Sequence, residues 1–543
     1  KVGYSERNQD TAVEPRLCKQ WFLSMKHFAN IALPPVLEGK IKFYPTKYVT
    51  TYRNWLENIQ DWCISRQLWW GHRIPAYFLP TAEGEEEKYV VALTPEEALE
   101  EAHKIKGFEN ITIDQLKHDE DALDTWFSSW LWPISLFDGI NNPGNEEINY
   151  YYPTSVLVTG PDIIFFWVAR MIMAGEEYMK DVPFRNVYFT GIVRDEIGRK
   201  MSKSLGNSPD PIGLIEKYGA DGVRMGMLLA APAGNDILFA ESLCEQGRNF
   251  CNKIWNAFRL VKGWETAELP QPEVSKIAIK WFDAKFKTAV AEINDLYSKY
   301  RLNEALMTIF KLFTDEFSGW YLEMIKPAYQ KPIDKQTYEA TLQFFDGLMK
   351  IIHPFMPFIT EELWQHIYER KDGESIMVST FKKDAPTADD TKLVDEFETV
   401  KKIVAGVRAV RNQKNIAPKE PLELIALGKN EWSTYNSVLT KMSNLSNIAE
   451  STTSPEGAVK FMVGTDEYAV PIGNLIDVEA EVKKQEAELK HLEGFLIGIQ
   501  KKLGNERFVA NAPAQVVELE RKKLADTESK IAAIKETLAS LKK

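Results

Sequence analysis

Cysteine, basic charge and long apolar runs are all scarce in this sequence, and each scarcity removes a class of protein. The four cysteines, Cys18, Cys63, Cys244 and Cys251, are scattered and include no C-x-x-C pair. That argues against a disulfide framework and a local zinc knuckle, and fits a reducing cytosol, so a cytoplasmic protein with no structural metal is expected. The longest apolar stretch, Ile163 to Ala174, falls short of the roughly 20 residues of a membrane span and contains Arg170. The opening Lys1-Val2-Gly3-Tyr4-Ser5 leads into no apolar core of the signal-peptide kind. No membrane partner is expected. The formal net charge is −12, which disfavours a polyanionic partner without excluding one, because such binding needs only a local basic surface.

What is present is a soluble globular composition, 44% hydrophobic and 27% charged, on a chain of 543 residues. That length implies about three to five domains. Residues 1–42 hold short extended pieces and a helical stretch with no core of their own. From 43 to 240, strand-like runs alternate with helices. Val156-Leu157-Val158-Thr159 is one such run, followed by Gly160 and a helical stretch from Ile163. Val187-Tyr188-Phe189 and Ile192-Val193 read the same way. The alternation predicts a Rossmann-like α/β sheet with ligands beyond its strand ends. An acidic insertion at about 81–121 interrupts it, with Thr94 as N-cap, Pro95 at N1 and Glu97 three residues after the cap.

Residues 241–399 switch to helical periodicity, with a polar, proline-bearing linker around Glu268 to Ser275. Trp281, Phe282, Phe286 and Val290 fall at core spacing, predicting an all-α bundle. Residues 400–476 read as a small mixed α/β segment with strands at Leu422 to Leu427 and Ala469 to Ile472. In 477–543, Val478, Val482, Leu489, Leu492, Leu496, Ile499 and Leu503 form an apolar seam. Val517, Leu524, Ile531, Ile534, Leu538 and Leu541 repeat it beyond the breakers Gly504-Asn505 and Ala512-Pro513. The prediction is an antiparallel coiled coil with arms of about 35 to 40 Å. Composition alone fits a dimerising coiled coil as well as an RNA-binding arm.

The strongest local signal is Gly198-Arg199-Lys200-Met201-Ser202-Lys203-Ser204-Leu205-Gly206-Asn207. Two lysines three apart on a glycine-bounded loop can approach a polyphosphate from one side, with Ser202 and Ser204 adding hydroxyl donors. A bare K-x-x-K is usually a solvated basic turn, but here the surroundings favour the sharper reading. Lys200 to Ser204 resembles the Lys-Met-Ser-Lys-Ser loop of class I aminoacyl-tRNA synthetases. Asp61-Trp62-Cys63-Ile64-Ser65-Arg66-Gln67 through Pro75 is similar to the segment that re-enters the catalytic fold after the editing domain in that family. Leu123-Asp124-Thr125-Trp126-Phe127-Ser128-Ser129 resembles the valine, isoleucine and leucine subgroup. Thr159-Gly160-Pro161-Asp162 through Arg170, and Asn505-Glu506-Arg507-Phe508-Val509 at the hairpin turn, resemble the valyl-tRNA synthetases most. The resemblance covers essentially the whole chain.

That resemblance implies ATP-dependent ligation of L-valine to valine tRNA through valyl-adenylate, with acyl transfer to the 2′-hydroxyl of the terminal adenosine. ATP enters as its Mg²⁺ complex. Lys200 and Lys203 take the catalytic role on the β- and γ-phosphates, within an ATP-binding set of Gly160, Asp162, Lys200, Met201, Ser202, Lys203 and Ser204. Asp162 fits a ribose-contacting turn, although it could equally N-cap the next helix, and Pro161 departs from the aromatic or histidine residue expected there. Trp126 and Ile163 are candidates for the valine pocket wall, against a plain core-packing role. His72, in Trp69-Trp70-Gly71-His72-Arg73, is expected to be structural. Candidate tRNA-binding groups are Lys253 and Arg259 in the bundle, and Arg408, Arg411 and Lys414 along one helix face.

The family also carries a His-x-Gly-His motif early in the nucleotide fold, whereas none of the seven histidines here has another three residues away. The chain is therefore expected to be a C-terminal piece, lacking the first half of the sheet and most of the editing domain, inactive alone and monomeric. A hydrophobic pocket rejects weakly an isostere that only adds a hydroxyl, and valyl enzymes facing threonine are themselves the standing case. The complete protein is thus expected to edit threonyl-tRNA. Alternatives are an isoleucyl or leucyl enzyme, a non-catalytic tRNA-binding protein, and a coiled-coil scaffold. The scaffold leaves the Lys200 to Ser204 loop unexplained.

Overall fold

The computed structural model describes residues 3–5, 11–13, 17–82, 84–202, 205–380, 384–472, 478–504 and scattered positions from 517 to 535. The chain divides into two compact units: Lys1–Cys251 with Asn294–Met307 and Phe355–Ile359, and the remainder. Among the described residues no helix is long and apolar enough to cross a membrane.

The first unit is organised by a parallel sheet. In chain order its elements begin with α1 (Lys26–Leu37), β1 (Lys42–Tyr44) and α2 (Lys47–Glu57). After the insertion come α4 (Thr125–Ser129), β5 (Thr154–Thr159), α5 (Ala169–Ala174), β6 (Phe184–Phe189), β7 (Val193–Arg194), α6 (Pro211–Tyr218), α7 (Ala220–Leu229) and β8 (Ile237–Leu238). The sheet order is β5-β6-β1, all parallel, with Leu157 opposite Val187 and Val187 opposite Phe43. Its core is apolar on both faces, as parallel strands require. Phe43, Val187 and Phe189 are buried among Tyr52, Val168 and Ile172 from the covering helices. Tyr52 pairs its hydroxyl with the Ala32 carbonyl at 2.9 Å, so burying it leaves no polar group unmet.

The helical stretch expected from Ile163 is present but unevenly wound. A 3₁₀ turn at Pro161–Ile163 passes into a π segment at Ile164–Val168, then α5, then a second π segment at Gly175–Met179. The insertion folds on itself: β2 (Ala76–Phe78), β3 (Tyr89–Val91) and β4 (Lys117–His118) make a three-stranded antiparallel sheet around α3 (Pro95–His103). Tyr77, Leu79, Val90, Ala98 and Ala102 are its core. Thr94 caps α3 by accepting from Glu97 N at 3.2 Å, while the Glu97 carboxylate reaches back to Leu93 N at 3.1 Å.

In the second unit helices dominate. Aromatic rings fill the core made by α9 (Glu273–Ser298), the π segment Leu312–Tyr321 and α12 (Lys335–Ile352). Phe282 lies 5.2 Å from Phe317 and 5.1 Å from Tyr321 between ring centroids, and Trp281 stacks on Phe397 at 4.3 Å. The linker expected to reach Ser275 is shorter, because α9 starts at Glu273 and buries Ser275. Thr266–Ala267 also pairs in parallel with Ile333–Asp334. Helix α14 (Ala388–Gln413) precedes a four-stranded sheet. The strand expected at Leu422 to Leu427 is there, as β9, and the one expected at Ala469 to Ile472 overlaps β12 (Asp466–Pro471), which starts earlier and ends before Ile472. Two further strands, β10 (Leu445–Ser451) and β11 (Ala458–Val463), were not foreseen.

Helix α16 (Val478–Leu503) carries the first part of the apolar seam. Ile499 is buried and Leu489, Leu492, Leu496 and Leu503 are partly covered, whereas Phe495 and Ile497, off the seam, are exposed. Glu493 pairs with Lys535 at 3.0 Å. The breakers after Gly504 and the seam positions Leu538 and Leu541 lie outside the described residues.

Candidate active site

Parallel strands place their carboxyl ends along one edge of a sheet, and ligands of such sheets bind beyond that edge. Thr159 and Phe189 are the paired last residues of β5 and β6, and Thr190 N continues the pairing to Thr159 O at 2.9 Å. The two segments singled out from the sequence both leave from this edge: Gly160-Pro161-Asp162-Ile163 from β5, and the loop holding Lys200 from β6. Strand pairing sets the starts of the two segments side by side, at Thr159 and Thr190, and Lys200 lies further along the second.

At the first segment, Gly160 is extended (φ −74°, ψ 149°) and precedes the 3₁₀ turn. A Cβ on it would stand 2.5 Å from Asp162 Oδ1, so glycine is what allows this carboxylate to fold over the turn. The cap positions of the turn and of the helix after it are Gly160 and Ile163. Asp162 is not the N-cap, and its side chain is exposed. Its alternative role as a capping residue is thereby removed.

The second segment begins at Gly191, where a Cβ would lie 2.0 Å from the Asn235 carbonyl oxygen. That close approach lets β7 pair in parallel with β8. The chain then turns back on itself, bridging Arg194 and Lys200, with Gly198 in the left-handed region (φ 83°). Asp195 is the hub of this turn. Its carboxylate accepts from Arg199 N and Arg199 Nε at 2.7 Å each and from Asn207 Nδ2 at 3.0 Å. Asn207 in turn accepts from Ser202 N at 2.9 Å and donates to Lys200 O at 3.3 Å, so one amide holds both ends of the loop. Lys200 is exposed, and its ammonium has no carboxylate partner among the described residues. Met201 and Ser202 are half-buried. Lys203 and Ser204 lie outside the described residues. Asp210 ends the loop, capping α6 through Ile212 N and Gly213 N, both at 3.1 Å.

The hydrogen bond from Asn207, followed by those from Arg199, holds the Asp195 carboxyl down at about 2. A depressed folded value means that the clamp contributes stability above the ordinary aspartate range and loses it as pH falls toward about 2. Asn207→Ala is therefore expected to move the Asp195 titration upward, read by carboxyl carbon NMR. An ordinary aspartate titration in the unaltered protein would contradict the clamp.

Trp126 and Ile163 are brought together. Both line a cleft of about 470 Å³ with Ser128, Ser129, Trp132 and Trp167. Trp167 is fixed by Nε1 donating to Ser129 O at 3.2 Å and by its contact with Trp132, 5.5 Å between centroids. Behind Trp126 a second cleft of about 380 Å³ is lined by Asp61, Trp62, Arg66, Asp124 and Arg170. Asp124 caps α4, accepting from Trp126 N at 2.7 Å, and pairs with the Arg66 guanidinium. Arg170 is buried, 3.5 Å over the Trp62 ring, and burial pushes its guanidinium down to about 10. Its Nε and Nη1 find no acceptor among the described residues. Sequence reading missed Asp124, Arg66 and Arg170 as a group. The one available signal was a charged residue, Arg170, inside an otherwise apolar run. His72 is exposed and lends only its carbonyl, to Leu123 N at 2.7 Å, while Trp69 and Trp70 stand in solvent.

The basic groups divide. Arg259 is exposed, and Lys253 is exposed with its ammonium 3.4 Å from Thr314 O. Arg408 is exposed, bonded to Met442 O at 3.1 Å, and Lys414 is partly covered. Arg411 is a correction. It is buried and donates to the carbonyls of Ala417, Glu420, Ser443 and Asn444 at 2.7 to 3.1 Å. The chain after α14 wraps around this guanidinium, so it closes the helix end and is not presented to a polyanion.

Comparison with known proteins agrees with this geometry. The model for class I tRNA synthetases (I, L, M and V) matches residues 3–240, that for the anticodon-binding domain of tRNA ligase matches 280–426, and that for the valyl tRNA synthetase tRNA binding arm matches 477–542. The valine–tRNA ligase of Phocaeicola vulgatus is 66% identical over 543 residues, covering 100% of this chain and 61% of that protein. That of Bacteroides thetaiotaomicron is 65% identical over 546 residues, with coverage of 100% and 61%. Among solved structures, Mycobacterium tuberculosis methionyl-tRNA synthetase bound by methionyl-adenylate is a distant likeness. Its TM-score is 0.46 and its identity 18%, over 63% of this chain and 62% of that one. Residues 3–240 thus match the catalytic domain of class I synthetases, with mixed α/β structure, and residues 280–426 an anticodon-binding domain. Over its whole length it is similar to the valine–tRNA ligases named above. It spans 61% of the length of the curated relatives it matches.

Proposed function

We propose that this chain works within a protein that ligates L-valine to valine tRNA at the expense of ATP. The observation that carries the reading is the emergence of the Gly160–Asp162 turn and the Lys200 loop from adjacent ends of paired parallel strands, one suited to a ribose and the other to a polyphosphate. Asp162 accepts from the adenosine ribose. Lys200 and Lys203 neutralise charge on the β- and γ-phosphates of the Mg²⁺–ATP substrate, with Met201, Ser202 and Ser204 on the same loop. Trp126 and Ile163 bound the valine side chain. A valine carboxylate oxygen attacks the α-phosphorus as the bond to the pyrophosphate oxygen breaks. The 2′-hydroxyl of the terminal adenosine then attacks the acyl carbon and releases AMP. Positioning and charge stabilisation account for the first step, and no protein base is required in it.

Five parts divide the work. Residues 1–42 are the exit from the editing domain, 43–240 the second half of the catalytic fold, 241–399 the anticodon-binding bundle, 400–476 the small mixed segment, and 477–543 an antiparallel coiled-coil arm for tRNA. The Glu493–Lys535 pair and the covered seam of α16 favour the hairpin arrangement. Lys253, Arg259, Arg408 and Lys414 remain the tRNA-facing candidates, and the protein acts as a monomer. The test is amino-acid-dependent ATP–pyrophosphate exchange by the protein that carries this chain. Exchange driven by valine in preference to isoleucine and leucine is expected. Preference for either of those overturns the valyl assignment, and no exchange with any amino acid leaves the non-catalytic tRNA-binding alternative.

A further inference from the structure

Trp126 stands between two clefts. In front is the one of about 470 Å³ that it shares with Ile163 and Trp167, and behind is the one of about 380 Å³ that it shares with Phe166 and Arg170. The spacing of those residues explains the division. Ile163 and Trp167 are four apart on one helical stretch, as are Phe166 and Arg170, and positions about four apart share a face. One row therefore meets the front cleft and the other the rear one. The stretch is centred on the π segment Ile164–Val168, a kind of turn that is frequent at functional sites.

The two tryptophan walls of the front cleft are held differently. Trp167 is locked, since its Nε1 donates to Ser129 O at 3.2 Å and its ring lies 5.5 Å from that of Trp132. The Trp126 backbone is fixed by the Asp124 cap, but its indole N–H has no acceptor among the described residues. What steadies the indole is a stack against Phe166, 5.8 Å between centroids with 27° between the planes. Phe166 is 47% exposed, and its ring also meets the Arg170 guanidinium at 5.9 Å. Arg170 is in turn held over Trp62 at 3.5 Å.

A ring against a ring is ordinarily no more than packing. In a sealed, close-packed core a side chain has nowhere to go when its neighbour is cut back. Trp126 does have somewhere to go, because the cleft behind it is open and loss of the Phe166 ring would extend that cleft to the back of the indole. A retreat of the indole deepens the front cleft. Valine and isoleucine differ by one methylene, and a hydrophobic pocket separates such a pair only roughly 10- to 200-fold, so a small displacement of one wall matters. We infer that Phe166 is a positioning residue for amino-acid selection, its ring holding the Trp126 indole forward so that the front cleft fits valine and is too shallow for isoleucine. The inference rests on the valine-ligase reading and deepens it, adding a residue that acts through Trp126 from the side away from the amino acid.

The experiment is ATP–pyrophosphate exchange by the protein that carries this chain, with kcat and KM measured separately for valine and isoleucine. Phe166→Ala, Phe166→Leu and Phe166→Tyr are compared with the unaltered protein, and melting temperatures check folding. Phe166→Ala is expected to lower the valine-over-isoleucine ratio of kcat/KM about tenfold, chiefly through a lower KM for isoleucine. Phe166→Tyr keeps the ring, and its added hydroxyl can reach solvent from an exposed position, so it is expected to retain the ratio. Phe166→Leu is expected to fall between the two, and it decides the matter if the alanine variant does not fold. A loss shared equally by both amino acids, or an unchanged ratio in the folded alanine or leucine variant, overturns the inference, because Phe166 then only packs. A tyrosine variant as permissive as alanine overturns it too. In each of these cases valine preference in the unaltered protein leaves the ligase reading standing. If the unaltered protein shows no valine-dependent exchange, that reading fails and this inference falls with it.

Discussion

If the proposed function holds, Lys203→Ala in the protein that carries this chain is expected to slow valyl-adenylate formation about a hundredfold, equivalent to about 2.7 kcal/mol of transition-state stabilisation. The magnitude follows from the chemistry. As the α-phosphorus changes partners, negative charge builds on the departing pyrophosphate, and the protein's contribution is fixed positive charge close to it. Lys200 remains in the variant, exposed and without a carboxylate partner among the described residues, so part of the stabilisation survives. The Asp195–Asn207 clamp is expected to remain, because its bonds run to the backbone at Ser202 and Lys200. The loss is thus one of charge and not of loop folding. Valine-dependent pyrophosphate exchange reads it directly, with a fall in turnover larger than any change in valine affinity. An unchanged exchange rate would remove Lys203 from the catalytic set.

Asp124→Ala should destabilise the protein by about 3 kcal/mol and raise the KM for valine. Asp124 is 6% exposed and does two things at once. It caps α4 through Trp126 N, a contact worth about 1 kcal/mol in general. It is also the anion facing Arg66, and its charge favours the ionised form of the buried Arg170. Removing it leaves guanidinium charge in a poorly solvated place, which costs more than the lost pair itself, although the 40% exposure of Arg66 moderates the penalty. Because Trp126 hangs from the same cap, its placement in the cleft with Ile163 should loosen too. Urea unfolding measures the first effect and amino-acid dependence of exchange the second. Asp124→Asn, which retains a capping oxygen but not the charge, is expected to fall between. An alanine variant with an unchanged unfolding midpoint would show that Asp124 anchors neither group.

Local signals in the chain were read well where the physics is local. The Thr94 cap, the strand at Leu422 to Leu427, the β-branched run ending at Thr159 and the seam of α16 each depend on residues within a few positions of one another. Of the two strands not foreseen, β10 escaped because Ser446, Asn447 and Glu450 break the apolar alternation that marks a half-buried strand. Their pairing is supplied by β9 and β12. Arg411 was misjudged for a related reason. Helical spacing put it on a face with Arg408 and Lys414, but four carbonyls from Ala417, Glu420, Ser443 and Asn444 close around it, and two of those lie more than thirty residues away.

By itself, then, the sequence carried the resemblance to class I synthetases, since the Lys200 to Ser204 loop, the Gly160–Asp162 turn and the terminal seam are short patterns legible in one window, and the expected chemistry and ligand are what that resemblance implies. Only the tertiary structure decided which groups act together. Asp124 and Arg66 meet across 58 positions, and Trp126 joins Ile163 only when α4 packs beside the turn after β5. Phe166 reaches the Trp126 ring only through that same packing. Such contacts depend on packing between distant segments, and no window of sequence contains both partners.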